Sequence, residues 1–162
     1  MSNSKKTIYN VIVLLIIFIN IIFIFPSCKK IKKIDDIDKI NYIDILNQKG
    51  SNEGKYYVLI YSADCKYCQE LEPYVIEYCN SIKASNDNPP LYILNVDDQD
   101  NAQIMIDSDE LYHDFVGTSN YQDIRFSHKP GLVEVTNQEV TLLISSKTTN
   151  RPYTEIKNLL SK

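Results

Sequence analysis

Cys65-Lys66-Tyr67-Cys68 is the part of this chain whose residue types and spacing can do chemistry. Two cysteines separated by two residues can hold a disulfide that opens and closes by exchange with another thiol. The pair stands where the apolar and aromatic run Tyr56–Tyr61 gives way to a helical pattern. Unpaired backbone N–H groups at a helix start favour a thiolate over a thiol. Two plainer uses of the pair stand beside redox exchange. One is an inert structural pair. The other is half of a zinc site, but Cys79, His113 and His128 form no second pair to complete a tetrahedron.

The elements around the pair follow from periodicity. Tyr56–Tyr61 has no polar alternation, the pattern of a strand covered on both faces. After it, Cys68, Leu71, Val75, Tyr78, Cys79 and Ile82 fall on one face of an α-helix, with Pro73 interrupting and an end near Ser85. Cys79 shares the face of Cys68 and reads as core. Ahead of the strand, Ile37, Ile40, Tyr42, Ile43 and Leu46 suggest a first helix that ends at Gly50. Beyond the long helix, Leu91–Val96 reads as a second strand, and residues 109–116 as a short helix stopped at Gly117. Leu132–Val135 and Val140–Ile144 flank the turn Asn137-Gln138 as a hairpin, and Pro152–Leu160 forms a closing helix. The acidic run Asp97, Asp98 and Asp100 reads as exposed.

The N-terminus has a different character. Lys5 and Lys6 precede an apolar run from Ile8 to Phe25, broken by Asn10 and Asn20. At helical rise this run reaches about 27 Å, close to the roughly 30 Å of a bilayer core. Phe25-Pro26-Ser27-Cys28 resembles a relaxed bacterial lipoprotein signal, with Cys28 as the lipidated residue. An uncleaved single-pass anchor is the alternative, and both end at a membrane. Lys29, Lys30, Lys32 and Lys33 outnumber the lysines before the run, which favours a cytoplasmic flank. A cleaved, lipidated chain escapes that conflict, so the expectation is an outward-facing domain. The organisation expected is a signal or anchor over 1–28, a charged tether over 29–36 and one domain over 37–162. At 162 residues there is room for one domain, and a net charge of −4 gives no electrostatic case for nucleic acid.

The order of elements, with C-x-x-C at the first strand-to-helix junction, resembles the thioredoxin family over Ile37 to Lys162. Pro73 lies five residues after Cys68, where that family kinks its helix. Pro130, just before a strand, sits where the family keeps a cis-proline loop facing the cysteines. The resemblance implies a three-layer α/β/α fold with a mixed sheet of about four strands, preceded by the N-terminal hydrophobic helix. It implies thiol–disulfide oxidoreductase activity on protein thiols and disulfides, with Cys65 attacking and Cys68 resolving. Pro130, Lys129 and Tyr67 would bind substrate, and a redox partner would recycle the pair without a further cofactor or metal. A non-catalytic thioredoxin-like module, accessory to a membrane or transport system, is the rival reading. There are departures as well. Leu59 occupies the position of a buried Asp, so proton transfer needs water or another group. Tyr67 resembles the glutaredoxin motif, and His128 and Lys129 stand before Pro130 where an apolar residue is usual.

Overall fold

The computed structural model describes residues 30–84, 88–107 and 114–161. The apolar run Ile8–Phe25, Cys28, Ser85, His113 and most of the short helix expected over 109–116 lie outside them. Ile31–Lys162 is one compact unit. Its centre is strand β1 (Lys55–Tyr61), flanked by α1 (Lys66–Ala84) and β2 (Leu91–Asn95). The chain then passes to the hairpin β3 (Gly131–Thr136) and β4 (Glu139–Ile144), and ends in α2 (Pro152–Leu160).

The four strands lie in the order β2-β1-β3-β4. β1 runs parallel to β2, with Tyr57 opposite Leu91 and Tyr61 opposite Asn95. It runs antiparallel to β3, with Ile60 opposite Gly131. The parallel pair needs a crossover, and α1 supplies it. The hairpin turns through Asn137 and Gln138 at φ of 51° and 68°, the left-handed pair that a tight two-residue connection favours. Strand alternation divides the core in two. Tyr57, Leu59 and Tyr61 face α1 and α2, against Leu71, Val75, Ile156 and Leu160. Tyr56, Val58 and Ile60 face the other side, against Tyr42, Ile104, Ile124 and Phe126.

Both α-helices among the described residues therefore cover one face of the sheet. Among the described residues the second face is covered by 3-10 turns (Tyr42–Asp44, Ala102–Ile104, Tyr121–Asp123) and the segments between them. The helix expected from Ile37 to Leu46 is one of these irregular segments. A helix carries one apolar stripe, but this stretch serves two faces. Ile31, Ile34 and Ile37 join the α1 side, whereas Ile40, Tyr42, Ile45 and Leu46 join the other. Between them the chain runs extended beside β2, where the Ile40 N–H donates to the Ile93 carbonyl at 2.9 Å. The Ile93 N–H donates to the Asp38 carbonyl at 3.0 Å.

The stretch expected as a charged tether also packs. Ile31 is 4% exposed. Its N–H donates to Asn80 Oδ1 at 2.9 Å, and Asn80 Nδ2 donates back to the Ile31 carbonyl at 2.9 Å. Charged residues at 32, 33, 35 and 36 masked an apolar residue at every third position, which is what docks. Ile31→Ala should therefore lower stability by about 2–5 kcal/mol in urea denaturation, as for a core isoleucine. A freely solvated tether residue would leave the midpoint unmoved.

Candidate active site

Cys65 is the N-cap of α1. Its carbonyl accepts the first helical hydrogen bond, from the Gln69 N–H at 3.0 Å. Its sulfur takes the place of a serine or aspartate oxygen, because the Cys68 N–H donates to Cys65 Sγ at 3.2 Å. A backbone donor and the helix's positive end thus converge on that sulfur. Cys65 is half-buried and Cys68 is buried at 1% exposure, and both are thiols in this structure. Pro73 lies inside α1 without ending it, and lacking an N–H it leaves the Gln69 carbonyl without its usual helical donor.

The turn entering the cap is fixed from β2. Ser62 is fully buried, and its carbonyl accepts from the Cys65 N–H at 3.2 Å. Ser62 Oγ donates to Asp97 Oδ1 at 2.7 Å, and the Ala63 N–H donates to Asp97 Oδ2 at 2.7 Å. Asp97 therefore holds the residues just ahead of the dithiol with both oxygens. Desolvation pushes its carboxyl up. The hydrogen bonds from Ser62 and Ala63, aided by the Lys129 charge, outweigh that and leave it below its ordinary value. Asp97 is exposed, as its place in an acidic run suggests, and that exposure gave no sign of this role. The available signal was its position just past a strand parallel to β1, where α/β sheets commonly build sites.

Lys129 and Pro130 arrive from the far side of β1. The Ile60–Gly131 pair places Pro130 directly before the residue opposite Ile60, and the Lys129–Pro130 bond is cis. Pro130 itself is buried, so the loop presents backbone and the half-buried Lys129 side chain. The Lys129 charge acts on both Asp97 and Cys68. A Cβ at Gly131 would overlap the Phe126 ring, so close approach requires glycine there. Tyr67 is 57% exposed and packs against Tyr153 of α2, with ring centroids 5.9 Å apart. His128 is exposed and pairs with Ser127 Oγ at 2.9 Å. Cys79 fills the core, and among the described residues no cluster of His, Cys, Asp and Glu could hold a metal.

Burial, and after it the hydrogen bond with Cys65, push the Cys68 thiol far above its ordinary range. The Ser62 backbone and Lys129 pull it only part of the way back. The two sulfurs thus differ in kind: one is accessible and capped by an N–H donor, the other protonated and enclosed.

No protein-family model and no curated protein matches the chain. Among solved structures it is similar to the oxidised form of mitochondrial thioredoxin 3 from Saccharomyces cerevisiae. That likeness has 14% identity and a TM-score of 0.48, over 79% of this chain and 97% of that one. A yeast mitochondrial 1-Cys peroxiredoxin structure, described with the glutathione and thioredoxin systems, is similar at 14% identity and a TM-score of 0.46. It covers 81% of this chain and 100% of that one. A mutant thioredoxin from Halobacterium salinarum NRC-1 follows at 19% identity and a TM-score of 0.38, over 68% and 74% of the two chains. This chain's own strand order and the place of its cysteine pair fit a thioredoxin-like α/β fold.

The Asp97 clamp has a definite pH sign. Its folded pKa is depressed, so its stabilisation is present above the unfolded carboxyl value of about 3.9. It is lost as pH falls through the lower folded value. Asp97→Asn should lower Tm near neutral pH, and the gap from the native protein should close in that acid window. An unchanging gap would show that the carboxylate's charge plays no part.

Proposed function

We propose that this chain is a thiol–disulfide oxidoreductase, held at a membrane by its N-terminal segment and acting on protein cysteines outside the cytoplasm. The observation that carries the chemistry is the cap of α1: Cys65 Sγ receives the Cys68 N–H while Cys68 lies enclosed behind it. Cys65 attacks a substrate disulfide, joins one sulfur as a mixed disulfide and releases the other as a thiol. Cys68 then gives up its proton and attacks Cys65, closing the internal disulfide and releasing the second substrate thiol. A redox partner returns two electrons to the pair, or the same steps run in reverse. The loop at Lys129 and Pro130, with the exposed Tyr67 next to Cys68 in the chain, provides the surface along which an extended substrate would lie. The apolar run before Cys28, and Cys28 as a lipidation site, support the membrane reading.

Insulin reduction by the full-length chain tests the activity. Turnover that disappears in Cys65→Ser is expected, as is accumulation of mixed disulfides on Cys65 in Cys68→Ser. A folded chain with no turnover, or turnover indifferent to Cys65→Ser, would favour a non-catalytic docking module. Labelled fatty acid incorporated into the native chain but not into Cys28→Ser would support lipid attachment; incorporation into neither would leave a plain anchor.

A further inference from the structure

The first turn of α1 carries a side chain that core packing does not explain. Tyr67, between the two cysteines in the chain, is 57% exposed. Among the described residues only Ile43 and Val116 are also large, apolar and open to water, and each is less exposed. Consecutive Cα atoms are 3.80 Å apart, so the Cα atoms of Tyr67 and Cys65 lie within about 7.6 Å of each other.

Tyr67 is nonetheless held. The Tyr153 ring of α2 lies 5.9 Å from it, centroid to centroid, at an interplanar angle of 43°. Tyr153 is half-buried and packs on the same cluster that receives Cys65. One turn further along α2, Lys157 Nζ sits 4.4 Å from the centroid of the Tyr74 ring, two turns beyond Tyr67 on α1. From the β1 side, the Tyr61 hydroxyl donates to Glu72 Oε1 at 2.5 Å. So α1 is fixed by α2 and β1 while Tyr67 remains open to water.

A substrate joined to Cys65 as a mixed disulfide must cover the ground around that sulfur. Asp64 and Lys66 flank Cys65 with opposite charges, and Lys66 Nζ meets Glu70 at 3.9 Å, so neither sign is favoured there. The surface on the Tyr67 side is an aromatic ring already restrained by a second one. Such a ring gains contact area with an apolar side chain at little cost in rotamer freedom.

We propose that Tyr67, steadied by Tyr153, selects substrate segments that carry an apolar residue beside the reacting cysteine, a role that rests on the oxidoreductase reading above. Tyr67 makes the contact, and Tyr153 is the positioning residue that fixes its ring. Segments of that kind are mostly buried in folded proteins, so the class selected is incompletely folded chains.

Short peptides with one cysteine, capped as its disulfide with thionitrobenzoate, test this. The Cys65 thiolate bonds the peptide sulfur, and the S–S bond breaks to release coloured thionitrobenzoate with the electron pair. Cys68 then loses its proton to water, bonds Cys65 and frees the peptide thiol, so the enzyme pair is oxidised and the reagent reduced. One peptide has glycine on both sides of its cysteine, the other phenylalanine. Rates are taken relative to those with free glutathione, after subtracting release by full-length Cys65→Ser. In the native full-length chain the phenylalanine peptide should react at least about fivefold faster, within the range of aromatic contacts. Tyr67→Ala and Tyr153→Ala should each bring that ratio below about twofold, and Tyr153→Phe should keep it. Because the two rings act as a unit, the double alanine variant should lower the ratio no further than either single one. A ratio near one in the native chain, or an undiminished ratio in Tyr153→Ala, overturns the selection while leaving the oxidoreductase reading in place. Equal slowing of both peptides in Tyr153→Ala gives the pair a structural role only and overturns it as well. No release above background from either peptide, with native circular dichroism, overturns the oxidoreductase reading and the selection with it.

Discussion

A single weak hydrogen bond, from the Cys68 N–H to Cys65 Sγ, orders the candidate site. Helix N-termini need an acceptor for their unpaired donors, and serine, threonine or aspartate usually provides it. Here a sulfur does. The same contact that starts α1 therefore aims a donor at the atom proposed to carry charge, and it sets the second cysteine at the third helical position, turned into the core. Local helix stability and the difference between the two sulfurs have one origin. Any substitution that frays the first turn of α1 touches both.

That first turn is held by neighbours distant in sequence. The parallel β1–β2 pairing brings Asp97 to Ser62 and Ala63, and the antiparallel β1–β3 pairing brings Lys129 and Pro130 to the other side. The cation tempers the enclosed thiol, and the carboxylate fixes the turn before the cap. Asp97 lies 29 and Lys129 61 residues beyond Cys68, so the sheet order is a chemical requirement of the site as much as an architectural one.

Much of this was legible in sequence because it is local. The apolar run at 56–61, the one-sided helix from Cys68 to Ile82 and the Asn137-Gln138 turn each have a period or residue type that specifies one structure. The strands begin and end within a residue or two of their expected limits for that reason. The region 37–46 misled because its apolar residues obey a helical spacing while being shared between two cores. The Tyr61–Glu72 contact left no sequence signal of its own, and the Asp97 clamp left only that residue's position just past a strand. Each joins residues on different elements, and an isolated tyrosine or aspartate next to a strand has many commoner explanations.

The backbone of residues 38–40 has a consequence for how the domain meets other chains. It engages both the N–H and the carbonyl of Ile93, at the middle of the outer rim of β2, so that point of the rim is occupied and blocks a strand from pairing there. Exposing it would mean peeling away a segment bounded by Ile37 and Ile40, which fill the two cores. Resistance to sheet-on-sheet aggregation is thereby tied to folding itself, and trimming this segment would leave a domain that is both looser and self-adhesive.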